Sequence, residues 1–104
     1  MNKYHAKRSY SELCGREFAS KAECLRAEEL ALLERGGIIK HLEYQPRYIL
    51  CDSPKITYTA DFRYLENNEV VVEDVKGVLL RDTRTKLAWL KEKFNIDVKL
   101  KGLE

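Results

Sequence analysis

Two aspartates and a lysine are the residues best spaced for chemistry: Asp61, and further along Asp74-Val75-Lys76. The chain between them reads as a hairpin. Ile56 to Leu65 alternates apolar and polar residues, Glu66-Asn67-Asn68-Glu69 interrupts the pattern, and Val70 to Lys76 is a β-branched run. Asparagine tolerates the left-handed backbone that a two-residue turn demands. With Asn67-Asn68 as that turn, Glu66 faces Glu69, Tyr64 faces Val71 and Asp61 faces Asp74. Side chains directly opposed in an antiparallel pair have Cβ atoms about 4.5 to 5.5 Å apart, and like charges there repel. Two arrangements relieve the repulsion. Lys76 on the face of Asp74 and Arg63 on the face of Asp61 neutralise the pair on a solvated sheet, or a divalent cation sits between the carboxylates. Mg²⁺ favours one or two carboxylates plus substrate phosphates over a complete protein cage.

Several elements must hold this hairpin in place. Ser20-Lys21-Ala22-Glu23 has the form of a capping box, Leu25, Ala27, Leu30, Ala31, Leu32 and Leu33 follow, and Gly36-Gly37 stops the helix. Gln45-Pro46 favours extended chain. Tyr48 to Cys51 reads as a strand and Asp52-Ser53-Pro54 as a turn. After Gly77, helical spacing of Thr83, Leu87, Leu90 and Phe94 predicts a second helix from Asp82 or Thr83 to Phe94, and Ile96, Val98 and Leu100 alternate as a last strand. The order is αβββαβ, an α/β chain. Residues 1–19, with Lys3, Tyr4, His5, Lys7, Arg8, Tyr10 and Arg16, show no period and read as a basic N-terminal arm; residues 20–104 read as a single domain.

The 104 residues suit one domain, and 44% hydrophobic with 35% charged residues excludes both a disordered chain and a membrane-spanning one. Without an apolar run after Met1 to Arg8, the expected location is the cytoplasm. Cys14, Cys24 and Cys51 lack metal-ligand spacing and read as reduced thiols. His5 and His41 have no nucleophile or second histidine in a recognisable pattern. The net charge of +2 conceals a pattern: residues 1–27 carry +3, residues 28–80 carry −4 and residues 81–104 carry +3. The acidic centre contains Asp61 and Asp74. Basic residues on either side, Lys21 before it and Arg84 and Lys86 after it foremost, are placed to follow a phosphate backbone. The six tyrosines are too scattered for a stacking platform, and no base-reading motif is present, so such binding is salt-sensitive and indifferent to sequence.

The spacing Asp61-x12-Asp74-Val75-Lys76, with a glutamate on a preceding helix, resembles the signature of the PD-(D/E)XK nuclease superfamily. The strings SKAE (20–23), LALLERGGIIKHLEYQP (30–46), YTADF (58–62) and VVEDVKG (71–77) resemble a small phage and prophage family of uncharacterised proteins assigned to it. The resemblance implies a restriction-endonuclease-like fold, a mixed sheet flanked by helices. It also implies an Mg²⁺- or Mn²⁺-dependent endodeoxyribonuclease, with a homodimer and branched DNA as expectations by analogy. Residue by residue, it makes Asp61 and Asp74 metal ligands, Lys76 the catalytic lysine and Glu23 the acidic residue of the first helix; Ala60 stands where the family pattern has proline. Glu73 falls on the opposite face from Asp74 by strand period, which favours Asp74 as ligand. The carbonyl of Val75 adds a further oxygen. Lys76 either positions the attacking water or stabilises the phosphorane. Glu23 has a second reading, as the last member of the capping box. Two rival functions remain: a nucleic-acid-binding protein that does not cut, and a small interaction protein whose carboxylates are surface charge.

Overall fold

The computed structural model describes residues 7–102, so Lys3, Tyr4 and His5 of the basic segment lie outside the described residues. The elements in chain order are β1 (Ser9–Ser11), β2 (Arg16–Phe18), α1 (Lys21–Arg35), β3 (Lys40–Tyr44), β4 (Arg47–Asp52), β5 (Lys55–Thr59), β6 (Phe62–Glu66), β7 (Glu69–Val75), α2 (Arg81–Phe94) and β8 (Val98–Lys101). Local chemistry accounts for their limits. The Ser20 hydroxyl accepts the Glu23 N–H at 3.1 Å and caps α1. At the other end Gly37 adopts φ +78, which lets Ile38 N–H return to the Leu33 carbonyl at 2.9 Å and closes the helix.

The chain is a mixed α/β fold with a mixed four-stranded sheet in the order β3-β6-β7-β8. Its pairs are antiparallel except β7 with β8, which run parallel because α2 carries the chain back across. Each face of the sheet has its own core. Phe62 and Tyr64 join Phe18, Cys24, Ala27, Leu30 and Ile39 beneath α1. Val72 belongs to the other face and packs with Leu50, Tyr58, Ala60 and Leu90, so the β4–β5 hairpin and α2 cover that side.

Three expectations change. Residues 9–18, read as part of an irregular arm, form a β-hairpin that buries Ser11 and Phe18 against α1; strands of three residues carry no period to detect. Residues 40–44 add an edge strand that their sequence pattern does not announce, with a register shift between Lys40 and Glu43. The alternating run Ile56 to Leu65 is two strands. At Ala60 and Asp61 the backbone changes partners: Ala60 N–H donates to the Pro46 carbonyl at 3.0 Å, whereas Asp61 N–H donates to the Glu73 carbonyl at 3.1 Å. Tyr58 and Ala60 therefore enter one core and Phe62 and Tyr64 the other.

One ion pair fastens α1 to β7. Glu73 is wholly buried, and Arg26 of α1 meets it with Nε at 2.8 Å and Nη2 at 2.6 Å while the Tyr64 hydroxyl donates to the same carboxylate. Burial alone would raise the Glu73 pKa, but the Arg26 and Tyr64 hydrogen bonds outweigh it and hold the carboxyl below its ordinary range. A depressed folded pKa contributes stability above the unfolded value, lost as pH falls through the folded one. Arg26→Ala leaves that carboxylate uncompensated, and by urea unfolding at pH 7 it costs roughly 3 kcal/mol. The deficit shrinks toward pH 4, where Glu73 takes up a proton in the variant, and Arg26→Ala/Glu73→Gln recovers part of it at pH 7.

Candidate active site

The β6–β7 hairpin has the register its turn requires. Asn67 and Asn68 sit at φ +54 and +66, and the ladder runs from Glu66 opposite Glu69 to Phe62 opposite Glu73. The ladder stops there, and Asp61, in the bend just before β6, still brings its side chain to Asp74, with which it hydrogen-bonds. Asp61 is fixed by its own backbone, since its N–H bonds Glu73 and its carbonyl accepts the Gln45 N–H at 2.9 Å. Its Oδ2 accepts the Val75 N–H at 2.7 Å.

Asp74 is 1% exposed, and its Oδ2 accepts from the Tyr58 hydroxyl and lies 3.3 Å from Lys76 Nζ. The Lys76 side chain is 29% exposed, so the ammonium bridges the buried carboxylate and solvent. Asp61, Asp74 and Lys76 therefore converge. The Val75 N–H and carbonyl lie on one side of the strand, so the carbonyl also faces the side where β6 has ended. Burial raises the Asp61 carboxyl far above its ordinary range, to about 8, with a hydrogen bond and charge from Asp74 adding to the rise and the Val75 N–H opposing it. Asp61 therefore keeps its proton at neutral pH, held toward Asp74 in their hydrogen bond, when nothing else relieves the repulsion.

Glu23 is buried nearby, its backbone N–H serving the cap; among the described residues no group of three or more Asp, Glu, His or Cys side chains closes around one point. It remains an electrostatic neighbour: burial raises its pKa first, the Asp74 charge next, with Arg16, Arg8 and Lys76 opposing. The basic residues divide by use. Lys21 and Arg84 are exposed and Lys86 is half-buried, whereas Lys91 pairs with Asp97 at 2.7 Å and Lys93 donates to the Ile49 and Leu50 carbonyls, each at 3.2 Å. Arg8 pairs with Glu17, and Arg16 lies over the Tyr44 ring at 4.5 Å.

Tyr58 is the site residue that sequence reading missed. Its only signal was a place one strand repeat before Ala60, too weak to distinguish it from five other tyrosines. Its phenol is held protonated, with its pKa raised by burial and then by the Asp74 hydrogen bond and charge.

The donor set fits a small hard cation. Asp61 and Asp74 offer carboxylate oxygens, the Val75 carbonyl faces the same side, and once the proton on Asp61 is lost the two carboxylates carry more charge than Lys76 alone offsets. A carboxyl whose folded pKa is raised favours folding below its unfolded pKa, and that contribution is lost as pH rises through the folded value. In EDTA the melting temperature accordingly falls between pH 5 and pH 8.5. Asp61→Asn keeps an acceptor for Val75, donates to Asp74 and flattens that decline; an unchanged slope in the variant would assign it to another group.

A family model described as Protein of unknown function (DUF1064) matches residues 1–103. No curated protein and no solved structure gives a match. Among the described residues no helix is long and apolar enough to cross a membrane. Matched over almost its whole length, with Asp61, Asp74 and Lys76 all inside the matched span, the chain belongs to the DUF1064 family.

Proposed function

We propose that this protein is a metal-dependent endodeoxyribonuclease of the PD-(D/E)XK type, hydrolysing phosphodiester bonds of DNA. The observation that carries the reading is the convergence of Asp61, Asp74 and Lys76 where the central strands β6 and β7 end, two carboxylates in contact and a partly exposed ammonium 3.3 Å from one of them. The resemblance in four ordered strings along the chain supports it.

In this reading Asp61, Asp74 and the Val75 carbonyl hold Mg²⁺ or Mn²⁺. The bound ion supplies charge neutralisation at the phosphate and a more acidic water. The chain's own groups do the rest. Tyr58 donates to Asp74 and fixes the orientation of its carboxylate, and the Val75 N–H does the same for Asp61. Lys76, free to swing on its exposed side, stabilises charge that builds on the phosphoryl oxygens and orients the incoming water. Glu23, buried beside the pair and with its pKa raised by burial and the Asp74 charge, serves as the acidic residue of α1 that accepts a proton. Lys21, Arg84 and Lys86 hold flanking phosphates. Branched DNA as substrate, a homodimer as the working form and the cytoplasm of a phage host as the setting belong to the same proposal.

Supercoiled plasmid and a synthetic four-way junction, each incubated with the full chain, test it directly. Cleavage in Mg²⁺ is abolished by EDTA, and Asp74→Ala and Lys76→Ala each lower the rate by about 100-fold or more. Cleavage unchanged in both variants would place the activity elsewhere. DNA binding that survives EDTA without any cleavage favours the non-cutting alternative. Arg84→Ala and Lys86→Ala weaken binding to all sequences alike and reduce the slope of log affinity against log salt by about one each.

A further inference from the structure

The segment after Lys76 is costly for a soluble protein to display. Val78 is 68% exposed and Leu80 63% exposed, in a stretch that is neither helix nor strand. Leu80 also occupies the N-cap of α2, where Ser, Thr, Asp or Asn would bond the first turn, and its side chain makes no cap bond. Exposed apolar surface and a missing cap thus coincide within three residues. Their position is close to the carboxylate pair: two residues of chain span at most about 7 Å, so Val78 borders Lys76, and Leu80 lies within about 14 Å of it. The surroundings are cationic on balance, with Lys76 before the segment and the exposed Arg81 and Arg84 on either side of Asp82 after it. The exposed leucines on α1, Leu25 and Leu32, have a different setting, with Glu29 between them in sequence.

We propose that Val78 and Leu80 form a wedge that enters a base step next to the scissile phosphate and selects DNA whose stacking is already interrupted. This rests on the nuclease reading for the phosphate but on separate residues for the selection. Apolar side chains rimmed by cations are the composition that parts base steps while holding the backbone. Unstacking is least costly at a mismatch, a branch point or a strand end, so a wedge converts an ordinary phosphodiester site into one that prefers those substrates. A protein partner would be served by the apolar pair without the flanking arginines.

The test compares the wild-type chain with Val78→Ser/Leu80→Ser on branched and uniform duplexes carrying 2-aminopurine beside the junction or at the matching position. Serine at position 80 supplies the missing cap, so the double variant melts no lower than wild type. Wild type is expected to raise 2-aminopurine fluorescence on branched DNA in EDTA and, in Mg²⁺, to cut it at least about tenfold faster than uniform duplex. The double variant loses the fluorescence rise and brings the rate ratio toward unity. Fluorescence and ratio unchanged in the variant overturn the wedge, as does a variant that alters only the sedimentation of the free protein, which makes the pair a self-association surface. A fluorescence rise that depends on Val78 and Leu80 without cleavage by wild type upholds the wedge and removes the nuclease reading. Cleavage without any fluorescence rise does the reverse.

Discussion

Strand β7 buries two consecutive carboxylates, Glu73 and Asp74, at 0% and 1% exposure, and the rest of the molecule is organised around compensating them. Strand geometry sends the two to opposite faces. On the α1 face Glu73 has a complete answer in Arg26 and Tyr64, which explains why α1 packs where it does. On the other face Asp74 has Tyr58, Lys76 at 3.3 Å and a second carboxyl, Asp61, in contact with it. One side is a closed ion pair, and the other carries surplus negative charge once Asp61 loses its proton. The two neighbours on one strand thus differ in whether their charge is fully compensated.

The surplus depends on the break at Ala60 and Asp61. Were the alternating run one straight strand, Tyr58 and Phe62 would share a core. Instead the backbone leaves Pro46 and joins Glu73 within two residues, so β5 delivers Tyr58 to Asp74 while the bend before β6 delivers Asp61. Gln45, itself at φ +56, holds the Asp61 carbonyl and so fixes the bend from a third segment. The result is a pair of carboxyls held in contact beside a hairpin, an arrangement whose repulsion the fold tolerates locally.

Much of this was legible in the residues. The Asn67-Asn68 turn and the period of two specify the register from Glu66 opposite Glu69 to Phe62 opposite Glu73 and send Glu73 to the face away from Asp74, whereas Asp61 reaches Asp74 from a bend beyond the end of the ladder. The capping residue and the double glycine delimit α1, and α2 begins at Arg81, a residue or two earlier than its apolar stripe implies. The short strands β1 to β3 were hidden because three to five residues with half-exposed side chains carry no usable period. The partner switch at Ala60 was hidden because alternation persists through it, and only long-range hydrogen bonds reveal it. Arg26 and Tyr58 could not be singled out, since a helix arginine and a strand tyrosine are ordinary until the tertiary fold brings carboxylates to them. Glu23 was found by resemblance; in the fold its backbone N–H meets the Ser20 cap and its buried side chain is an electrostatic neighbour of Asp61 and Asp74.

The central claim is that the Asp61–Asp74 pair exists to hold a cation in place of the proton on Asp61. Calorimetric titration of Mn²⁺ into the full chain at pH 7, in two buffers of different ionisation enthalpy, tests it most directly. The account predicts a single class of site, release of about one proton per ion bound, and loss of the signal in Asp74→Asn. Binding that persists in Asp74→Asn, or no binding by the wild-type chain, would contradict it.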